Sequence, residues 1–319
     1  NNPFVYNLPR SKTNDKTISK DVIRAVGLKN AKSKLPYIHL KHLIEKTGDI
    51  YIKKELIWAN DDDIYKYNNS LSSWDRINGA EIKEENDYLY IEAYEKNILS
   101  ILQELNEYSK RGNSGQNILN NQFIEKNKNI LFDDELKKDA IRKLFVDSRL
   151  LLIYGAAGTG KTTLMDYISN LMIGRSKLFL AKTHTAVENL QRHITSPGQK
   201  SLFINIDKFK YSSINNDYDL VFIDECSTID NRNMVEILKK LSKDSLIVLA
   251  GDIHQIESID FGNWFNYAKS ILPKKSIIEL TNTWRTTNNN IISLWDEVRN
   301  KGQYIIEKLS IDGPFSKKI

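Results

Sequence analysis

The sequence is poor in cysteine and contains no apolar run long enough to cross a membrane. Its 319 residues include a single cysteine, Cys226, which excludes an internal disulfide framework and a cysteine-rich zinc site. No apolar segment approaches the roughly 18 residues that a membrane-spanning helix needs. The N-terminus, Asn1-Asn2-Pro3, lacks the charged and then apolar pattern of a secretory signal. We therefore expect a cytoplasmic protein with no membrane partner.

An excess of charge of one sign is also lacking. The 46 basic and 41 acidic residues leave a formal net charge of +5, which permits an anionic partner but does not require one. Hydrophobic residues make up 40% of the chain and charged residues 27%, as in ordinary soluble globular proteins. Composition alone therefore leaves the function open.

The first 130 residues contain few glycines and no chemical motif. Their apolar patterns predict a smaller mixed α+β accessory domain over residues 1–112, and we assign it no role. Its predicted helices lie near 18–26, 36–47 and 98–105, and its predicted strands lie at 49–58 and 88–94. The polar, glycine-containing stretch at 110–115 predicts a break in the chain, and we place a linker at 113–130.

From about residue 130, short and uninterrupted apolar runs alternate with helical patterns. This alternation predicts an α/β domain with a parallel sheet covered by helices on both faces. The predicted strands occupy residues 150–154, 178–181, 202–206, 220–223, 245–250 and 277–280. Ligands of such sheets bind at the carboxyl ends of the strands, and each motif below lies at one of those ends.

A phosphate-binding pattern follows the first of these strands. Residues 155–162 read Gly-Ala-Ala-Gly-Thr-Gly-Lys-Thr, which fits the G-x-x-x-x-G-K-[ST] loop of P-loop NTPases, and an amphipathic stretch follows. Lys161 is predicted to reach the β- and γ-phosphates of ATP, and the Thr162 hydroxyl to ligate Mg²⁺. The predicted nucleotide-binding residues of the loop are Gly155, Ala156, Ala157, Gly158, Thr159, Gly160, Lys161, Thr162 and Thr163.

Two acidic residues end the strand predicted at 220–223. Asp224 suits the Mg²⁺ shell, because carboxylate oxygens are ligands that this cation prefers. Glu225 suits the base that activates the attacking water. Together with the phosphate loop, this pair predicts an enzyme that hydrolyses a nucleotide.

Four segments resemble, in order and spacing, the signature motifs of superfamily 1 helicases. Residues 251–255, Gly-Asp-Ile-His-Gln, resemble their third motif, and residues 224–227, Asp-Glu-Cys-Ser, resemble their second. The strand and helix at 179–190 resemble motif Ia, and residues 280–286, which include a Trp-Arg pair, resemble motif IV. The resemblance covers residues 131–286, about half of the chain, and implies the RecA-like P-loop NTPase fold.

The resemblance also implies an ATP-dependent helicase or translocase that moves on single-stranded nucleic acid. Gln255 would hydrogen-bond near the γ-phosphate and act in catalysis beside Glu225. Arg285 would add positive charge at the γ-phosphate, and Trp284 would stack on the adenine. ATP and Mg²⁺ are therefore the expected cofactors.

Three further residues would contact the single strand, which we expect to be DNA rather than RNA. Thr183 and His184 lie in the segment that resembles motif Ia. Asn205 lies near the end of the strand predicted at 202–206, at a place where families of this kind often have threonine. The resemblance assigns all three to the nucleic-acid backbone.

The sequence departs from the family pattern in two places. Lys137 stands where the family commonly has a glutamine that reads adenine, which leaves adenine selectivity open. The chain ends at Ile319, soon after motif IV, whereas these helicases have two RecA-like domains. We therefore expect residues 287–319 to begin the connection to a second motor domain in a longer parent chain, and the isolated fragment to be weak or inactive.

Two other functions are compatible with parts of the sequence. One is a nucleotide-gated nucleic-acid-binding or regulatory module that does not unwind duplexes. The other is a nucleotide kinase, which would need an acceptor site and a lid, and which leaves the segments at 183–186 and 251–255 unexplained.

Overall fold

The computed structural model describes residues 31–127, 135–198, 200–212, 217–252 and 262–282. The chain divides into two compact units, Asn1–Asn97 and Ile98–Ile319. Within the described ranges, no helix combines the length and the apolar character needed to cross a membrane.

The first unit contains helices and a three-stranded antiparallel sheet. Its mixed α+β character and two of its three strands agree with the sequence analysis, which did not predict the strand at Ile82–Glu85. Its elements are α1 (Ala31–Thr47), β1 (Ile52–Lys53), α2 (Asp61–Asn69), α3 (Ser73–Ile77), β2 (Ile82–Glu85) and β3 (Tyr88–Ile91), with strand order β1-β3-β2. Capping boxes at Asn60 and Ser72 begin α2 and α3. The strand predicted at 49–58 is much shorter than expected, because a 3-10 turn at Lys54–Leu56 ends β1. The helix predicted at 18–26 lies outside the described residues.

The division between the two units falls earlier than the sequence suggests. It follows Asn97 and lies inside helix α4 (Glu92–Ser109), whereas we expected the accessory domain to extend to residue 112. Much of the stretch expected to be a linker, 113–130, folds as helix α5 (Gln116–Lys126). Helix α5 is held by a buried polar contact that a linker would not make. Asn120 Nδ2 donates to the carbonyl oxygens of Arg142 and Leu144, so α5 packs as part of the second unit.

The second unit is built on a six-stranded parallel sheet, and all six strands predicted from the sequence are present. The strands are β4 (Leu150–Gly155), β5 (Lys177–Ala181), β6 (Ser201–Asn205), β7 (Leu220–Ile223), β8 (Leu246–Gly251) and β9 (Ile277–Leu280), in the order β6-β5-β7-β8-β4-β9. The accompanying helices are α6 (Glu135–Lys143), α7 (Lys161–Leu171), α8 (His184–His193), α9 (Ile206–Tyr211), α10 (Asn231–Lys240) and α11 (Trp264–Ile271). This is the predicted RecA-like P-loop NTPase fold.

The order of the strands brings the ends of β4, β7 and β8 together. Strand β8 pairs with β4 on one side and with β7 on the other. At the end of β8, a Cβ atom on Gly251 would lie 2.7 Å from the Phe265 ring and 3.1 Å from the backbone nitrogen of Ser227. The glycine therefore permits the close approach of the turn that follows β7, and the segments after β4 and β7 converge at one edge.

Candidate active site

The loop that joins β4 to α7 has a conformation that requires its glycines. Gly158 and Gly160 have φ angles of 82° and 86°, in the left-handed region that favours glycine. A Cβ atom on Gly155 would lie 2.8 Å from the carbonyl oxygen of Leu280. The hydroxyl of the buried Thr159 donates to the carbonyl oxygen of Ala156 at 2.9 Å and closes the loop. Ala157 is exposed at its tip.

Lys161 is the first residue of α7 and lies over the loop. Its Nζ atom donates to the carbonyl oxygens of Gly155 at 2.8 Å and Ala156 at 3.0 Å. Thr162 and Thr163 follow in the first turn of α7, the former partly buried and the latter exposed. Free backbone N–H groups and the positive end of the helix dipole make such a turn a good site for phosphate.

Asp224 and Glu225 directly follow β7, at the same edge of the sheet as the phosphate loop. The Oδ1 atom of Asp224 accepts from the backbone N–H of Glu225 at 2.9 Å. Burial raises the pKa of Asp224, while the Glu225 N–H and the Lys161 ammonium lower it. Burial also raises the pKa of Glu225, the Asp224 carboxylate raises it further, and Lys161 again offsets the shift. The two carboxylates and Lys161 therefore act on one another in one partly desolvated site.

Glu225 has a backbone conformation that is unusual for its residue type. Its φ and ψ angles are 54° and 39°, which place a residue with a side chain in the left-handed region. Such conformations cost free energy, and they cluster at sites where the geometry of one side chain matters. The turn after β7 thus holds its second carboxylate in a defined place.

The ends of β5 and β6 carry the three residues predicted to contact nucleic acid. Thr183 caps α8, and its hydroxyl oxygen accepts from the backbone N–H of Ala186 at 3.1 Å. His184 is the exposed first residue of α8, and its Nε2 atom lies 2.9 Å from Asn205 Nδ2. Asn205 caps α9 by accepting from the backbone N–H of Lys208 at 2.8 Å. The structure therefore brings Thr183, His184 and Asn205 to the same edge of the sheet.

An ion pair that the sequence analysis did not predict joins the segments after β5 and β7. The Nζ atom of Lys182 lies 3.2 Å from Oδ2 of the buried Asp230. Lys182 precedes Thr183, and Asp230 caps α10 after the turn that begins with Asp224 and Glu225. Because the pair depends on tertiary proximity across 48 positions, no local pattern could have revealed it.

Three predicted site residues lie outside the described part of the chain. They are Gln255, Trp284 and Arg285. Asp252, which belongs to the same motif as Gln255, is buried at the end of β8. The roles assigned to Gln255, Trp284 and Arg285 remain predictions.

The chain is similar in sequence to a protein family and to two known proteins. Residues 135–313 match the protein family described as AAA domain. The RecBCD enzyme subunit RecD of Buchnera aphidicola is 28% identical over 261 residues, which cover 70% of this chain and 41% of the relative. An uncharacterized protein of Methanocaldococcus jannaschii is 25% identical over 189 residues, covering 50% of this chain and 16% of the relative. The chain thus spans less than half the length of either relative.

Bacteroides Pif1, solved bound to single-stranded DNA, superposes with a TM-score of 0.39 at 18% identity, over 55% of this chain and 48% of that one. Since the family pattern matches more than half of the chain, the protein belongs to the AAA-domain family, and its second unit is a RecA-like domain of the superfamily 1 helicase type.

Proposed function

We propose that the protein is an ATP-dependent helicase or translocase that moves on single-stranded DNA. The observation that carries this proposal is the convergence of Lys161 with Asp224 and Glu225 beside the phosphate loop. A phosphate-binding turn alone would support nucleotide binding. A phosphate-binding turn whose lysine interacts electrostatically with two adjacent carboxylates also supports hydrolysis.

Each residue of this site has a distinct part in the proposed hydrolysis of ATP. The backbone N–H groups of the loop and the Lys161 ammonium hold the phosphates and neutralise their charge. Glu225 accepts a proton from the attacking water, and its raised pKa brings the carboxylate closer to the proton affinity that a base needs near neutral pH. Gln255 and Arg285 would complete the site around the γ-phosphate.

The residues present fit a bound Mg²⁺ ion. The described residues contain no group of three or more His, Cys, Asp or Glu side chains that would hold a metal by themselves. Mg²⁺ usually takes only one or two protein oxygens and completes its shell with water and phosphate oxygens. The Thr162 hydroxyl and the Asp224 carboxylate are such oxygens. When bound, the ion would neutralise charge on the β- and γ-phosphates.

The nucleic-acid strand would lie at the edge that Thr183, His184 and Asn205 form. These side chains offer hydroxyl, imidazole and amide groups, which bond phosphate and sugar without reading sequence. The Lys182–Asp230 pair connects this edge to the segment that follows Glu225.

The lone cysteine, Cys226, is buried, and a reducing compartment such as the cytoplasm suits it.

Steady-state ATP hydrolysis by the complete gene product tests the proposal. We expect hydrolysis that requires Mg²⁺ and rises on addition of single-stranded DNA oligonucleotides. Lys161→Ala should abolish it, since the charge on the β- and γ-phosphates is lost. Lys143→Ala changes an exposed lysine on α6 and serves as the control. Hydrolysis that is unchanged in Lys161→Ala would contradict the proposal.

A further inference from the structure

Three consecutive residues around the start of α10 bind two other parts of the second unit. The carbonyl oxygen of Ile229 accepts from the indole N–H of Trp264 at 2.8 Å, and Asn231 Oδ1 accepts from the backbone N–H of Trp264 at 3.3 Å. Between them, Asp230 pairs with Lys182, which directly follows β5. The end of β5 and the start of α11 are therefore both attached to the segment that leads into α10.

Hydrogen bonds hold the turn that joins Glu225 to Asp230. The carbonyl oxygen of Glu225 accepts from both the backbone N–H and the hydroxyl of Thr228, each at 2.8 Å. The backbone N–H of Ile229 donates to the carbonyl oxygen of Cys226 at 3.2 Å, and Cys226 is fully buried. Closely packed interiors transmit a displacement because they compress little. A shift of Asp230 is therefore passed to the backbone of Glu225.

Lys182 lies beside the surface proposed to hold the single strand. It is followed by Thr183, which caps α8, and by His184, the first residue of that helix. A strand that shifts the start of α8 also shifts Lys182. Separating a buried carboxylate such as that of Asp230 from its cation costs free energy, so the carboxylate follows the lysine.

We propose that Lys182 and Asp230 are positioning residues that couple strand binding to ATP hydrolysis, an inference that rests on the proposed function. The pair contacts neither ligand and sets the place of Glu225 relative to the strand. Coupling between two bound ligands is reciprocal. The pair therefore determines both how strongly the strand stimulates hydrolysis and how strongly a bound nucleotide changes the affinity for the strand.

Asp230→Ser removes the ion pair and keeps the helix cap. Serine is a good capping residue, so its hydroxyl can replace the oxygen that accepts from the Asn233 N–H at 2.8 Å. The Lys182 side chain is 31% exposed and can then turn to water. Lys182→Met removes the pair from the other side, and Lys182→Arg keeps the charge and should retain the coupling.

Arg175→Met is the matched control, because it removes an ion pair between the same two strands at their other ends. Arg175 precedes β5 and Asp219 precedes β7, and Arg175 Nη1 lies 3.3 Å from Asp219 Oδ1. The two strands are parallel, so this pair lies at the edge of the sheet opposite to the phosphate loop. A general effect of losing such a pair should appear in both variants, and a loss of coupling only in Asp230→Ser and Lys182→Met.

The experiment combines strand binding and ATP hydrolysis by the complete gene product. Anisotropy of a labelled single-stranded oligonucleotide, with and without a non-hydrolysable ATP analogue and Mg²⁺, gives the change in affinity caused by nucleotide. Phosphate release with and without the oligonucleotide gives the stimulation of kcat. In the wild type, the change in affinity should be about fivefold or more.

Both effects should be nearly lost in Asp230→Ser and Lys182→Met, to within about twofold of no effect. Hydrolysis without DNA and strand affinity without nucleotide should stay within about threefold of the wild type in both variants. Arg175→Met should keep both effects within about twofold, since an exposed ion pair contributes little. Lys182→Met carries the test if Asp230→Ser does not fold.

The possible results separate this inference from the proposed function. Wild-type stimulation in folded Asp230→Ser would overturn the inference and leave the function standing. Strand affinity lost without nucleotide in Lys182→Met alone would also overturn it, since Lys182 would then contact the strand directly. A wild-type protein whose hydrolysis ignores single-stranded DNA would overturn both. Coupling that is lost in Asp230→Ser and Lys182→Met but retained in Arg175→Met supports both.

Discussion

His184 Nε2 and Asn205 Nδ2 lie 2.9 Å apart, although 21 positions separate the two residues in the chain. The contact joins the first turn of α8 to the cap of α9, at the carboxyl ends of two neighbouring strands. From the sequence alone, His184 and Asn205 could be assigned only to the ends of two separate strands. In the structure they form one polar surface. This surface is the proposed site for the nucleic-acid backbone.

Substitutions in this pair should weaken single-strand binding. His184→Ala should lower affinity about threefold to tenfold, the range of one net hydrogen bond. Asn205→Asp keeps an oxygen for the Lys208 N–H that caps α9, yet places a negative charge against phosphate, so the loss should be at least as large. Fluorescence anisotropy of a labelled oligonucleotide at several salt concentrations measures both effects.

The control for these variants is His193→Ala, which changes an exposed histidine at the other end of α8. It should leave the affinity unchanged. Because His184 and Asn205 contact each other, the double variant should lose less than the sum of the single losses. Equal affinities in the wild type and in both single variants would place the strand elsewhere.

Glu225→Gln should separate nucleotide binding from turnover. The amide has nearly the same shape as the carboxylate but cannot take the proton of the attacking water. ATP affinity should therefore stay within about threefold, while the hydrolysis rate falls by about 10²- to 10⁴-fold. Titration calorimetry and a steady-state phosphate-release assay measure the two quantities independently. Loss of binding with retained turnover would refute the role of Glu225 as base.

Gly160→Ala should destabilise the second unit and disrupt the phosphate loop. An alanine at φ 86° costs about 1–2 kcal/mol in backbone free energy, and its Cβ atom would also displace Lys137. Gly174→Ala is the matched control, since a Cβ atom there would meet nothing within 4 Å. Chemical denaturation should show a loss for Gly160→Ala and little change for Gly174→Ala. Equal stabilities would mean that the loop tolerates a side chain at residue 160.

The adjacent residues Trp284 and Arg285 should have separable effects on the reaction. Trp284→Ala should weaken ATP and GTP binding alike, by about tenfold to a hundredfold, because base stacking contributes about 1–3 kcal/mol and every purine has a π-face. Arg285→Ala should lower kcat more than it raises KM, since its charge acts on the transition state. Binding and turnover should be measured on both variants. If both keep wild-type values and Trp284→Ala only lowers Tm, the tryptophan is a core residue.

The strands of the second unit could be predicted because a parallel sheet leaves a strong signal. Its strands are buried on both faces, so each appears as an uninterrupted apolar run between helical patterns. The first unit gives weaker signals, because its strands are short and only partly buried. The sequence analysis did not predict helix α2, although a capping asparagine followed by three aspartates is typical of a helix start.

The site was predictable where one motif supplies several neighbouring residues, as in the phosphate loop. It was not predictable where two distant segments meet. The Lys182–Asp230 ion pair and the approach of Lys137 to Gly160 both depend on tertiary packing. The burial of Lys137 also runs against the usual exposure of lysine, so no composition or periodicity argument favours it.

Strand displacement tests the proposed motor function most directly. The substrate is a partial DNA duplex with single-stranded tails at both polarities, incubated with the complete gene product, Mg²⁺ and ATP. We predict release of the labelled strand that depends on ATP hydrolysis and is lost in both Lys161→Ala and Glu225→Gln. ATP hydrolysis without displacement of any strand, or displacement that persists in Lys161→Ala, would contradict a helicase powered by this site.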